Sequence, residues 1–296
     1  MSSRDVTSRL RERVWHGSIP LEIRLYRGDC RTYDDSEPYL VQFPRLSYLG
    51  LLTHRIHAFF ASNVPLKWHY PLGLLFDLYS GAEPAYPPDT LSPPHKTALT
   101  DDEPSHLPWR LTVRFSDYPS EQLIKLDDED KHLHDLFMHS VKEADYLRTG
   151  TGKTVMFLSK ENSTQLWSAV KTHDFALFSP ISHKLLNPQG VNLRHIPIRL
   201  YLPHAASDAS QKDASPGSVR VVQALVTPNL SSRQPQTIGT ALNQILPTLF
   251  PSRRSPLLAQ AVLHGAVLPL GAGVEELVRV AAYLDGWLHV AVVMMA

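Results

Sequence analysis

The stretch IPLEIRLY at residues 19–26 returns, two residues shorter, as IPIRLY at 196–201. In the first copy Leu21, Ile23 and Leu25 alternate with polar residues, the mark of a half-buried strand. Each copy opens a segment of about 100 residues, and a repeat of that size constrains the fold more than any single motif does. The elements that follow run in the same order. After the first copy come a turn-rich link, a second strand PYLVQFPR (38–45), a helix over Leu46 to Ser62, and later strands ending in RLTVRF (110–115). That helix carries Leu49, Leu52, Ile56 and Phe59/Phe60 at helical spacing. After the second copy come the strand VRVVQALVTP (219–228), a helix in TIGTALNQILP (237–247), and strands in LLAQAVLHG and LHVAVVMM. Thr237 is placed to cap that helix and Pro247 to end it. Strand, strand, helix and further strands is the order of the ubiquitin-like β-grasp. The expected class is therefore α+β, with two β-grasp units.

Between the repeats, residues 120–190 change to a helical period. LIKLDDEDKHLHDLFMHSVKEADYLR sets Leu133, Leu136/Phe137, Ser140/Val141, Ala144 and Leu147 along one face, and STQLWSAV and FALFSPISHKLL supply shorter helices. Residues 2–14 read as an amphipathic helix with Val6, Leu10 and Val14 at i, i+4, i+8. The expected division is an N-terminal helix (1–16), a first ubiquitin-like domain (17–119), a helix-rich domain (120–190) and a second ubiquitin-like domain (191–296). The stretch 81–107, rich in Pro, Ser and acid, reads as a disordered insertion, and 203–218 as a second low-complexity segment.

Composition narrows the function. A formal net charge of zero argues against nucleic acid as the main partner. Residues 191–296 carry eight Lys/Arg against five acids, a slight bias toward an acidic membrane surface. Cys30 is the only cysteine, so an internal disulfide is impossible and a reducing compartment is expected. No signal-peptide core opens the chain and no run of eighteen apolar residues occurs, so the sequence reads as cytosolic.

Two lysines compete for a chemical role. Lys153 lies in GTGKT, which resembles a phosphate-binding turn, but that loop needs glycine or alanine where this chain has Leu147. A helical pattern precedes it instead of a strand, so it reads as a Thr/Gly turn between helices. His54 and His57 share a helix face without a third metal ligand, and His132 and His134 point roughly 200° apart on a helix. Nothing beside Cys30 would activate a thiolate, and the DDED run (127–130) suits an acidic helix start. No cofactor, metal or catalytic residue is expected. Lys142 sits one residue from Val141, about 100° round the helix from the apolar stripe, so its amine should reach solvent. An isopeptide acceptor asks for exposure, a firm backbone and room for a thioester; geometry permits that role without selecting this lysine.

VWHGSIP (14–20), EPYLVQFPRLSYLGLLT (37–53), PLKWHYPLGLLFDL (65–78), LTVRFSDYP (111–119), FMHSVKEADYLR (137–148), LWSAV (166–170), FALF (175–178) and IPIRLY (196–201) together resemble the autophagy protein 5 family. The resemblance implies two ubiquitin-like domains flanking a helix-rich one. It implies that Lys142 is the acceptor joined to the C-terminal glycine of the ubiquitin-like autophagy protein 12. It also implies a non-covalent partner, the coiled-coil autophagy protein 16, and contact with the conjugating enzymes of the cascade. The conjugate would then act ligase-like, promoting transfer of autophagy protein 8 to phosphatidylethanolamine, with peripheral recruitment to the preautophagosomal structure and isolation membrane. Val6, Leu10 and Val14 are candidates for the partner groove; they would equally serve by packing on the first domain. A β-grasp adaptor that binds a coiled-coil helix without becoming conjugated is the alternative.

Overall fold

The computed structural model describes residues 3–31, 36–64, 75–77, 107–116, 127, 129–187, 192–203, 219–231 and 234–295. The insertion at 81–106 and the stretch 204–218 lie outside the described residues.

In the first repeat unit, strands β1 (Ser18–Leu25), β2 (Tyr39–Pro44), β3 (Leu75–Asp77) and β4 (Trp109–Arg114) form a sheet in the order β2-β1-β4-β3. β1 pairs antiparallel with β2 and parallel with β4. Helix α2 (Thr53–Phe60) crosses this sheet. Its Ile56 and Phe60, with Leu52 just before it, are buried against Ile19, Leu21 and Ile23 of β1. The expected helix over Leu46–Ser62 is shorter than its apolar spacing suggested. Leu49–Leu52 forms a 3₁₀ turn, and the backbone of Tyr48 is extended before it. That extended stretch meets the other domains, since the Ser47 carbonyl accepts from the Tyr283 hydroxyl at 2.6 Å.

The second unit repeats this plan. Strands β5 (Ile196–Pro203), β6 (Val219–Val226), β9 (Ala259–Leu263), β10 (Ala266–Val267) and β11 (Leu288–Met294) run in the order β10-β9-β11-β5-β6. β5 pairs antiparallel with β6 and parallel with β11, so β5 and β6 stand where β1 and β2 stand in the first unit. Helix α7 (Ile238–Ile245) packs Ile238, Ala241 and Leu242 on Ile196, Ile198 and Leu200. The Thr237 hydroxyl accepts from the Thr240 N–H and caps it. The six-residue echo in the sequence therefore marks an interior strand of each β-grasp, the one that pairs with the second strand of its unit. A small ladder, β7 (Asn229–Ser231) with β8 (Gln234–Pro235), and helix α8 (Val274–Ala281) complete the unit.

Between the two sheets stands the bundle α3 (Lys131–Thr149), α4 (Lys153–Met156), α5 (Lys160–Thr172) and α6 (Phe175–Leu186). Leu133, Phe137 and Val141 of α3 bury against Leu166, Val170, Phe178 and Ile181. Ser159 and Asp174 cap α5 and α6 by accepting from Asn162 and Leu177 backbone N–H groups. The N-terminal helix α1 (Ser3–Trp15) lies on this bundle and on α8. Trp15 is 1% exposed and stacks on the His173 ring at 4.5 Å between centroids. No helix of the described residues is long and apolar enough to cross a membrane.

Candidate functional site

Helix α3 places Lys142 at the surface between buried neighbours. Val141, Ala144 and Asp145 are at most 1% exposed, while Lys142 and Glu143 face solvent. The 100° step of the helix makes this inevitable: once Val141 and Ala144 point into the bundle, the residue after Val141 must point away. Leu136, expected on the apolar stripe, is 45% exposed and instead forms the lip of a cleft.

The backbone beneath Lys142 is held to the second ubiquitin-like unit from three directions. Ser140 donates its hydroxyl to Asp285 Oδ2 at 2.7 Å, and its carbonyl accepts from the Trp287 indole N–H at 3.2 Å. Glu143 accepts from Arg199 Nη2 at 2.8 Å, and that guanidinium lies 4.0 Å above the Trp287 ring. One turn on, Arg148 donates Nη1 to the Gly286 carbonyl at 2.9 Å. Asp285 is buried with His289, whose Nε2 lies 3.3 Å from Oδ2, and Tyr201 reaches the other ring nitrogen at 2.7 Å. Burial acts to raise the Asp285 carboxyl, but His289, Ser140 and the Trp287 N–H outweigh it and leave it below the ordinary carboxylate range. Ser140, Asp285 and His289 are residue types of a hydrolase triad, yet the serine hydroxyl is spent on the aspartate, not on the imidazole. These groups fasten domains together. Beside them opens a cleft of about 570 Å³ floored by Asp285, His289 and Arg199 and walled by Tyr48, Leu136 and Phe137.

At GTGKT, Gly150 and Gly152 hold positive φ of 79° and 62°, and Lys153 opens the four-residue helix α4. The Asp145 carboxylate already accepts from the Val155 N–H at 3.0 Å. A carboxylate thus sits on the amide that a phosphate loop would offer its ligand. Cys30 directs its thiol to the Tyr26 carbonyl, and among the described residues no three potential metal ligands converge.

Val6 and Leu10 are 44% and 41% exposed, whereas Val14 packs against the bundle core. Successive i, i+4 steps rotate about 40°, so the three make an oblique stripe that runs from solvent into the bundle. The neighbours of α1 are α6 and α8, with Arg11 donating to the Ser182 hydroxyl at 3.2 Å. Sequence reasoning missed the interdomain set Ser140, Arg148, Asp285 and His289; the one signal available was charged and polar residues inside otherwise apolar helical and strand patterns.

Two ubiquitin-like domains joined through a helical bundle, with a lysine exposed on a bundle helix, define a class of multidomain ubiquitin-like proteins. Family models for autophagy protein ATG5 match in three parts: the UblA domain over residues 14–115, the alpha-helical bundle region over 130–188 and the UblB domain over 195–292. Autophagy protein 5 of Phaeosphaeria nodorum is 69% identical over 312 residues, covering 100% of both chains. That of Aspergillus terreus is 45% identical over 318 residues, covering 97% of each. The crystal structure of Kluyveromyces marxianus Atg5 shares the fold, with a TM-score of 0.71 over 96% of this chain and 99% of that one at 19% identity. The chain belongs to the autophagy protein 5 family, and its role lies in autophagy.

Proposed function

We propose that Lys142 is the isopeptide acceptor for autophagy protein 12 and that the resulting conjugate is a scaffold with ligase-like action. The observation that carries this reading is the pairing of an exposed Lys142 with a helix backbone tied down by Ser140, Glu143 and Arg148. A lysine amine is protonated in water at neutral pH and must lose a proton to react. The neutral Nζ then attacks the thioester carbonyl of charged autophagy protein 12. The C–N bond forms, the C–S bond breaks, the conjugating enzyme's thiolate leaves, and the excess amine proton passes to solvent. A fixed helix removes orientational freedom from the acceptor, which favours that attack. The chain itself supplies no catalytic residue or cofactor in this scheme.

The exposed pair Val6 and Leu10, continued inward by Val14, supports a docking stripe for the helix of autophagy protein 16. The assembled complex would promote lipidation of autophagy protein 8. It would work from the cytoplasm, recruited peripherally to the preautophagosomal structure and isolation membrane. The second reading, a β-grasp adaptor that captures a helix without conjugation, draws on the same exposed Val6 and Leu10.

Reconstitution with the activating enzyme, the conjugating enzyme and autophagy protein 12 tests the acceptor by gel shift. The expected result is a covalent band for the wild type and Lys153→Arg, lost in Lys142→Arg. A band that survives Lys142→Arg moves the acceptor elsewhere; no band from any variant favours the adaptor.

A further inference from the structure

A cavity of about 750 Å³ opens where α1 meets α6 and α8. Arg11, His183 and Arg279 line it, together with Ser8, Ser179 and Asn187. Among the described side chains that line it there is no carboxylate.

Of the three basic side chains, Arg279 is paired with Glu275 one turn back along α8, and His183 sits in the last turn of α6. Arg11 has neither. It lies inside α1 away from a helix end, and its partner is the neutral Ser182 hydroxyl. Burial lowers its pKa, and no acidic neighbour acts against that burial. A guanidinium drawn partly out of water without a counter-ion is costly, and such groups are ordinarily paired.

We propose that this cavity binds a phosphate monoester, with Arg11 as the anchoring cation and His183, Arg279, Ser8 and Ser179 completing the cradle. A carboxylate presents two oxygens, which the Arg11 fork alone would satisfy. The further donors around the walls suit the three terminal oxygens and near-double charge of a phosphate. The phosphate has two possible sources, a soluble phosphorylated small molecule or the head group of a phosphorylated lipid. This proposal is independent of the conjugation reading, because the cavity contains no residue of the Lys142 site.

Isothermal titration of the full chain at constant ionic strength, with inositol hexakisphosphate as probe and inorganic phosphate as competitor, tests it. Saturable binding displaced by phosphate is expected. Arg11→Gln should weaken it by roughly tenfold or more, the loss of a charge-assisted contact. Ser179→Asp, which puts a carboxylate into the cavity and leaves the Arg11–Ser182 bond in place, should do the same. Arg9→Gln, on the exposed side of α1, should change nothing. Flotation with phosphatidylcholine vesicles, with and without a phosphatidylinositol phosphate, separates the sources. Arg11-dependent flotation assigns a lipid head group, and titration without flotation assigns a soluble ligand. Absence of saturable heat, full affinity in Arg11→Gln or Ser179→Asp, or equal weakening by Arg9→Gln each overturns the proposal. So does loss of partner-helix capture in Arg11→Gln when the phosphate probes give no heat, which would make the cavity a seat for a partner's carboxylate.

Discussion

Arg148 is 1% exposed at the end of α3, donates to the Gly286 carbonyl, and has no partner for its Nε. Burial pushes its pKa down to about 10, with Asp145 and Asp285 acting the other way, so it remains charged at neutral pH. Gly286 lies so close that a Cβ there would come within 2.6 Å of Nη1. Removing the side chain withdraws its charge from the buried Asp145 and Asp285 carboxylates and leaves a cavity, so Arg148→Ala should cost roughly 3–5 kcal/mol in urea unfolding. Arg148→Met, which keeps the volume, should cost about as much if charge dominates, and clearly less if packing does. His173 gives a second prediction. Its ring is held between Trp15 and the bundle, and burial lowers its pKa, with repulsion from His16 adding to the effect and the Trp15 carbonyl opposing it. The folded pKa lies below the unfolded one, so the unfolded chain takes up this proton first. Stability from His173 is complete above about pH 6.5 and falls as pH drops through that value. His173 has a φ of 53°, which asparagine tolerates. His173→Asn should therefore be less stable at about pH 7.5 yet lose less on going to about pH 5.5. Denaturant midpoints at both values check this; an unchanged slope would remove His173 from the account.

At the scale of elements, α7 shows how a local rule is reversed by its neighbours. Helix propensity alone favours alanine over glycine at Gly239 by about 1 kcal/mol. The backbone carbonyl of Arg253, however, would lie 2.1 Å from a Cβ there, and Leu270 Cβ would lie at 2.9 Å. Gly239→Ala should thus destabilise by about 1–3 kcal/mol, read from the same unfolding curves. The sequence pattern does show a capped helix at 237–247, because Thr237, the apolar spacing and Pro247 are local signals. It does not show what lies across from Gly239. The same division runs through the molecule. Alternation in IPLEIRLY and IPIRLY made both opening strands legible, and the matching order of elements made both β-grasps legible. The break before α2 was not, since Leu49 and Leu52 keep helical spacing through a 3₁₀ turn. At the candidate site, the exposure of Lys142 followed from its offset to Val141, while its proposed role came from the resemblance. The network around Ser140 was illegible because its partner Asp285 lies 145 residues away.

The whole molecule poses a question of cooperativity. Domains within one chain are free to move relative to one another unless their interface is large or well fastened. Here the fastenings form a chain through all three units. Arg45 of the first unit donates to the His264 carbonyl of the second at 2.9 Å, and Tyr283 of the second donates back to Ser47. Ser140, Glu143 and Arg148 tie the bundle to the second unit, and Tyr283 and Leu284 bury into the bundle core. With these bonds in place, calorimetry should find one unfolding transition. Tyr283→Phe alone removes the hydrogen bond to Ser47 and should cost about 1 kcal/mol without dividing it. Combined with Arg148→Ala, which releases α3 from Gly286, it should split the transition in two, the second ubiquitin-like unit separating from the rest. A single transition persisting in the double variant would mean that apolar packing of Tyr283 and Leu284, not the polar ties, couples the domains. If the transition does split, conjugation offers a further readout. Lys142 would still be present and exposed, but on a helix held by fewer ties, so band formation should slow in the double variant relative to Tyr283→Phe. Slowing at a temperature below both transitions would connect the interdomain bonds to the acceptor's reactivity and separate that effect from simple loss of folded protein.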